Sequence, residues 1–415
     1  MGSMITLGIG RMELDWGKNN SYRDHSALFQ NSDIKDIPYY YVDMHTGEPI
    51  IEKKEGYSRK LSLIKRRLDL LGYDIRSLKR HYEEAIREHL DFGYEINLPF
   101  DKYYDAVKSI NIAQVDTVSL AVESHENGYY FGEYVRRCIF EDSSIEANFI
   151  NPLEKSDPED WKDPKYDLSQ FLENLDPYIM LRIIAENPQN CNYELQWNFF
   201  DVVDNGWVKR DEIVKELSQN KKVLFVTEGS SDSFILRKTL DSLYPDISDF
   251  FDFVDMEENY PFTGVGNLYN FCLGLVRISI QNNIIIVFDN DTAGVEKYEQ
   301  AMSLKKPSNF LVTKLPDHVT FTSFKTQGPQ GETIENINSK AVAIECFLGF
   351  QHQDSEPYIQ WTSYNKRIRQ YQGELANKDR FVREFKSADL NSGYYSTEKL
   401  TYLVDHLLTQ WIERE

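Results

Sequence analysis

The sequence predicts an α/β protein. A mostly parallel sheet with flanking helices is expected over residues 220–350, preceded by a separate α+β domain over 1–219 and followed by a helical extension over 351–415. Three observations predict it. Ile284-Ile285-Ile286-Val287-Phe288 is a continuous apolar run without alternation, which suits a strand covered on both faces. Val223-Leu224-Phe225-Val226-Thr227 is a second run of the same kind. Helical sequence separates the two, and short apolar runs alternating with helical segments are the pattern of the α/β class.

Both runs end in acids. The first leads into Asp289-Asn290-Asp291 and the second into Glu228-Gly229-Ser230-Ser231-Asp232. In open parallel sheets, sites lie beyond the carboxyl ends of the strands, so the two runs deliver carboxylates to one edge. The plainer reading is that Asp and Asn after a strand make turns and cap the next helix.

The order Glu228-Gly229, then the glycine-bearing segment Gly264-Val265-Gly266, then Asp289-x-Asp291 resembles the Toprim domain of topoisomerases, bacterial primases and OLD-type nucleases over residues 220–315. The resemblance implies a Rossmann-like Toprim fold, with Asp289 and Asp291 as metal ligands, Asp232 as a third, and Glu228 as a ligand or general acid–base. Mg²⁺, or Mn²⁺ in its place, suits such a set, because it takes oxygen ligands and is usually held by a few carboxylates plus substrate phosphate. OLD-like nucleases carry further acids and a lysine after the Asp-x-Asp. Glu332, Glu335 and Glu345 are the candidates here for a second metal position, and Lys340 or Lys378 for the phosphate contact. Each also has a purely structural reading. Gly229 and Gly264 leave room for a phosphate or a neighbouring chain, although a plain turn explains them equally.

The implied function is a Mg²⁺-dependent Toprim endonuclease that cleaves phosphodiester bonds in RNA or DNA. Two ions in such a site activate the attacking water and stabilise the leaving oxygen. A primase or topoisomerase fits less well: zinc-ribbon cysteines of the primase type are missing, and little chain remains for a topoisomerase cleavage region. A non-catalytic Toprim-fold protein that binds a partner or a nucleotide is the alternative.

Charge and composition narrow the class further. A formal charge of −21 argues against a nonspecific nucleic-acid coat, which draws on clustered Lys and Arg. Metal ions held by carboxylates nevertheless invert the local field and let an acidic site face a phosphodiester. The four cysteines, Cys138, Cys191, Cys272 and Cys346, have no C-x-x-C spacing, so neither a zinc site nor a disulfide framework is expected. No apolar run approaches membrane-spanning length and the start does not read as a signal peptide, so a cytoplasmic protein is expected.

In chain order, Ile5 to Trp16 alternates apolar residues around Gly8 and Gly10, as a hairpin does. With Trp16–Asn20, Leu28-Phe29 and Pro38–Tyr41, this order resembles the N-terminal domain shared by HEPN and Toprim effector proteins of bacterial conflict systems. That resemblance implies a toxic effector of anti-phage defence. Residues Met1 to Gln219 are then expected to sense a trigger, dock a regulatory protein or drive homo-oligomer formation. The Pro38–Tyr41 aromatics supply either interface anchors or core.

Leu61–Leu71 has helical spacing ended by Gly72, and a second helix is expected from Asp74 to Leu90. Arg76 and His81 formally fit the loose Arg-to-His pattern of HEPN ribonucleases, but a solvated helix face explains them better. Asp142–Asp167 reads as a linker. Helices are expected at Phe171–Glu186, Trp207–Leu217, Ser233–Leu243, Gly264–Gly274, Thr292–Met302 and Ala341–Leu348. Phe251–Asp255 and Asn309–Pro316 read as strands, and Thr326–Asn338 as a glycine- and acid-rich loop.

Overall fold

A computed structural model of the chain describes residues 2–10, 12–42, 46, 49–91, 98–114, 168, 171–254, 264–350, 356–366 and 369–414. Two compact units emerge, Met1–Leu217 and Ser218–Glu415. Cys138 and the expected linker at Asp142–Asp167 lie outside the described residues.

The first unit is built on strands β1 (Met4–Ile9), β2 (Met12–Lys18), β3 (Ile34–Val42) and β4 (Pro49–Lys60). Helices α1 (Leu61–Leu70), α2 (Ile75–Asp91), α3 (Phe100–Lys108) and α4 (Pro177–Ile184) follow, then β5 (Glu194–Asn198) and the short α5 (Phe200–Asp204) and α6 (Arg210–Ile213). The strands form one antiparallel sheet in the order β2-β1-β5-β4-β3. The expected β1–β2 hairpin is present, with Gly10 at a φ of 59°. Gly72 ends α1 at a φ of 89°, a conformation that favours glycine.

Alternate residues of β1 and β5 face inward, and Trp197 lies nearly parallel to Tyr57 at 5.9 Å and to Phe29 at 6.4 Å. Every residue of α4 is buried. The expected helix over Phe171–Glu186 is broken in two, because Asp176 caps α4 by accepting from the Tyr178 backbone N–H at 3.0 Å and Pro177 occupies its first turn. Trp207–Leu217 yields only the single turn of α6. The Pro38–Tyr41 stretch lies in β3, and the side chains of Tyr40 and Tyr41 are outside the described residues.

The second unit runs through β6 (Val223–Val226), α7 (Ser230–Leu243), β7 (Phe251–Phe253), α8 (Val265–Arg277), β8 (Asn283–Phe288), β9 (Asn290–Asp291), α9 (Thr292–Met302) and β10 (Phe310–Lys314). The chain then adds β11 (Phe324–Gly328), β12 (Gly331–Glu335), β13 (Ala341–Val342), β14 (Ile359–Asn365), β15 (Gln370–Leu375), α10 (Lys378–Ser387) and α11 (Glu398–Ile412). Strands β10-β8-β6-β7 form a wholly parallel sheet in that order. The two acid-ending runs are therefore neighbours, Val226 opposite Ile286. Ile284 through Phe288 are all buried, which requires cover on both faces of the sheet. On one face Ile284, Ile286 and Phe288 join a core with Leu268, Cys272 and Leu275 of α8.

Three expectations need correction. Ala341–Leu348 is not a helix: Ala341 and Val342 pair antiparallel with Asp291 and Asn290, and a 3₁₀ turn follows at Ile344–Phe347. Tertiary pairing outweighs helical patterning there. Thr326–Asn338 is not a loop throughout, because β11 and β12 form a hairpin turned at Gly331, whose φ is 94°. Residues 351–415 are not wholly helical, since the β14–β15 hairpin precedes α10 and α11.

Candidate active site

The parallel sheet places Glu228 two residues beyond the end of β6 and Asp289 one residue beyond the end of β8. The Glu228 carboxyl accepts from the backbone N–H of Asp289, while its Oε1 is buried and has no hydrogen-bond partner among the described residues. Asp232 sits in the first turn of α7 and accepts from the Gly229 backbone N–H at 3.1 Å and from Ser231 Oγ at 3.3 Å. Ser231 Oγ also lies 3.5 Å from Glu345 Oε1, which links the 3₁₀ turn to the same group. Glu345 is only 5% exposed.

Asp291 begins α9, and both of its oxygens have donors. The Gly294 backbone N–H donates to Oδ1 at 2.6 Å and Gln372 Nε2 of β15 donates to Oδ2. Gly294 has to be glycine, because a Cβ there would stand 2.2 Å from the Asp289 carbonyl oxygen. Between the aspartates, Asn290 is fully buried and points the other way, donating to Asp317 at 2.6 Å and accepting from Lys314 at 2.8 Å. Alternation along the extended chain thus sends one side chain into a structural network and its two neighbours toward the acids.

The carboxylates act on one another. Burial, then the charges of Asp291 and Asp232, push Glu228 up to about 8. Burial, then Glu345, push Asp232 up to about 7, against the opposing charge of Lys378. Asp289 is driven well above the carboxylate range by burial and by Asp232, Glu228, Asp291 and Glu345. Burial also raises Asp291, offset by the bonds from Gly294, Gln372 and Ala293. Like charges gathered in a low-dielectric site resist ionising together, and a cation relieves them.

The donor set is all oxygen, and the orphaned Glu228 Oε1 is an atom a cation would satisfy, so the residues fit a hard divalent ion. Among the described residues, no three His, Cys, Asp or Glu side chains form a ready-made ligand group. An ion held here would keep waters and take substrate oxygens as well, in the manner of Mg²⁺.

The model of the HEPN/Toprim N-terminal domain 1 matches residues 1–221, more than half of the chain. The chain belongs to that family. No curated protein and no solved structure gives a significant match. The family match ends before Glu228, so the acid cluster of this HEPN/Toprim family member lies in the unit beyond the matched residues.

In the HEPN/Toprim chain, the expected site residues separate into three sets. Glu228, Asp232, Asp289, Asp291 and Glu345 share one electrostatic cluster, with Lys378 acting on it from the start of α10. Lys340 is adjacent through a backbone bridge to Asp291, and its carbonyl accepts from Thr292 Oγ1 at 3.4 Å. Glu332 and Glu335 are engaged on the β11–β12 hairpin, the first with Lys325 at 3.3 Å and the second with Thr333 at 2.8 Å.

Gly229 is extended and leaves only ordinary contacts for a Cβ, whereas Gly264 needs its φ of 89° to start α8. His81 packs back on the preceding turn, 3.0 Å from the Gly72 carbonyl oxygen and stacked on Tyr73. Sequence reasoning missed Gln372, because a lone Gln on a distant strand has no pattern of its own. Asp291 is also not a solvent-facing side chain but a partly buried helix cap.

Proposed function

We propose that this chain is a Mg²⁺- or Mn²⁺-dependent Toprim-type endonuclease acting on nucleic acid. We place it as a toxic effector of anti-phage defence whose N-terminal half holds cleavage in check through a regulatory partner or self-assembly. The observation that supports the reading is that Glu228 and Asp289 lie just past the carboxyl ends of two adjacent parallel strands, with Asp232 and Asp291 at the starts of the helices that follow, and that burial together with neighbouring acids holds Glu228, Asp232 and Asp289 above the carboxylate range. Family membership supports it, since the matched domain is described as associated with HEPN and Toprim proteins.

Asp289, Asp291 and Asp232 would hold the ion, whose contribution is to polarise phosphate oxygens and generate a nucleophile at neutral pH. Glu228 is a ligand or the general acid–base, with Oε1 as the atom available to meet an ion or move a proton. Lys378 would meet a phosphate, a role supported by its charge acting on Asp232. Glu345 backs the cluster through Ser231.

The test incubates plasmid DNA and single-stranded RNA with the full chain in Mg²⁺, Mn²⁺ or EDTA. Metal-dependent cleavage lost in Asp289→Asn supports the reading. No cleavage of either substrate, or cleavage indifferent to EDTA, sinks it. A second reading, a non-catalytic interaction or nucleotide-binding protein, is favoured by the role of Asp291 as a helix cap with a donor on each oxygen.

A further inference from the structure

We propose that Gln372, a residue of the C-terminal hairpin outside the parallel sheet, is the positioning residue that fixes the Asp291 carboxylate for ion binding. The proposal rests on the reading of Asp291 as a ligand.

Gln372 makes two bonds with opposite polarity. Its Nε2 donates to Asp291 Oδ2, and its Oε1 accepts from the Ala293 backbone N–H at 3.1 Å. An amide turned the other way would aim its NH₂ at an N–H and its oxygen at a carboxylate, so only one orientation satisfies both partners. With Gly294 N–H on Oδ1, the carboxylate is gripped by one donor per oxygen. A carboxylate offers about four acceptor positions, so even with the Ala293 N–H also acting on Asp291 at least one stays free for an ion. A neutral donor suits this task. Lys or Arg at the same place would neutralise the acid and compete with the cation.

The hairpin is built to deliver that side chain. A register shift lies between Trp361 and Ser363, opposite Gln372 and Gly373, and such bulges re-aim side chains beside functional sites. Gly373 lets β15 press close, since a Cβ there would stand 2.5 Å from Ile359 Cγ2 and 2.7 Å from Trp361 Cε3. The Tyr371 carbonyl accepts from Thr292 Oγ1 at 3.0 Å, which adds a third tie between β15 and the start of α9.

The experiment uses the full chain and three variants. Gln372→Met keeps length and removes both bonds. Gln372→Glu keeps the acceptor for Ala293 but cannot donate to Asp291. Thr362→Val removes only the 3.2 Å bond from Thr362 Oγ1 to the Gln372 carbonyl. Mn²⁺ affinity is read by calorimetry, and kcat and KM by cleavage. Gln372→Met should weaken Mn²⁺ binding about 10- to 100-fold and lower kcat by a similar factor, with KM for nucleic acid unchanged. Gln372→Glu should lose kcat as Gln372→Met does, and Thr362→Val should match wild type.

Wild-type Mn²⁺ affinity in Gln372→Met, wild-type kcat in Gln372→Glu, or an equal loss in Thr362→Val would each overturn the role. A wild type that binds Mn²⁺ without cleaving sinks the nuclease reading alone, since calorimetry still decides Gln372. A wild type that binds no Mn²⁺ overturns both.

Discussion

The backbone N–H of Asp289 donates to the carboxyl group of Glu228, tying the tip of one parallel strand to the tip of its neighbour. This bond helps fix where Glu228 sits without neutralising it, and Glu228 Oε1 is buried with no partner among the described residues. Such an arrangement costs stability, because an unsatisfied buried acceptor and repelling acids both disfavour the folded state. Glu228→Gln therefore removes the charge and keeps an acceptor for Asp289. Its melting temperature at pH 8 should rise by a few degrees while cleavage falls about 100-fold or more. Calorimetric melting and a cleavage assay check it, and an unchanged melt with full activity would remove Glu228 from the cluster.

The same acids predict the pH dependence of the metal-free protein. Glu228 and Asp232 have folded pKa values above their ordinary ones, about 8 and about 7. The folded state then holds protons that the unfolded chain has released, so the stability these two groups contribute is fully present below the ordinary carboxylate values and is lost as pH rises through about 7 and about 8. His89, His318 and His406 are pushed below the ordinary imidazole value by burial, so their contribution runs the other way, adding stability as pH rises through that value. Lys399, pushed down to about 8 by burial, works in the same sense as the histidines above that pH. The melting temperature in EDTA should fall from pH 6.8 to pH 8, more in wild type than in Glu228→Gln, with Mn²⁺ erasing the difference. Equal slopes in the two proteins would refute the assignment.

The two strands that carry the candidate site are legible in the sequence, and what is not has identifiable physical causes. Ile284–Phe288 and Val223–Thr227 announce themselves because strands buried on both faces are apolar at every position. The break at Asp176-Pro177 was also readable, as a cap followed by proline in the first turn. Ala341–Leu348 was not, because its strand pairing depends on Asn290 and Asp291, which lie far away in sequence. The link from Gln372 to Asp291 spans 81 residues and leaves no local mark. The plain reading of Asp291 as a helix cap holds, and its proposed role as a metal ligand concerns the same carboxylate.

That double role changes what Asp291 variants report. Asp291→Ala loses the cap to Gly294 as well as the charge, a cost of about 1 kcal/mol. Asp291→Asn retains a side-chain oxygen for the cap. Both should lose metal-dependent cleavage, and the alanine variant, which alone loses the cap, should melt lower than the asparagine variant. Cleavage surviving in Asp291→Asn would make Asp291 a cap and nothing more.

Gly294 offers a purely steric test. Its Cα lies so close to the end of β8 that Gly294→Ala would drive a methyl group to 2.2 Å from the Asp289 carbonyl oxygen. Strand and helix must separate, at a cost of about 1–3 kcal/mol. Asp289 and Asp291 flank that point, so Mn²⁺ affinity should fall with stability. Denaturant unfolding and calorimetry on the same sample check it. Unchanged stability would show that the close approach is not maintained in solution.

The last prediction concerns control of cleavage. The unit Ser218–Glu415 has a hydrophobic core of its own around Ile284, Ile286, Phe288 and Leu268, and the unit Met1–Leu217 has another around Trp197 and Tyr57. Each buries enough apolar surface to fold separately in principle. Residues 218–415 expressed alone should therefore show a cooperative melt. A metal-dependent nuclease harms its host unless restrained, and the proposed restraint lies in the unit that carries the family match. The fragment should then cleave faster and be more toxic than the full chain, adding back residues 1–217 should slow the fragment, and a candidate partner should change the full chain more than the fragment. If the fragment folds and neither its cleavage nor its toxicity differs from full length under any of these conditions, the N-terminal unit does not restrain the site.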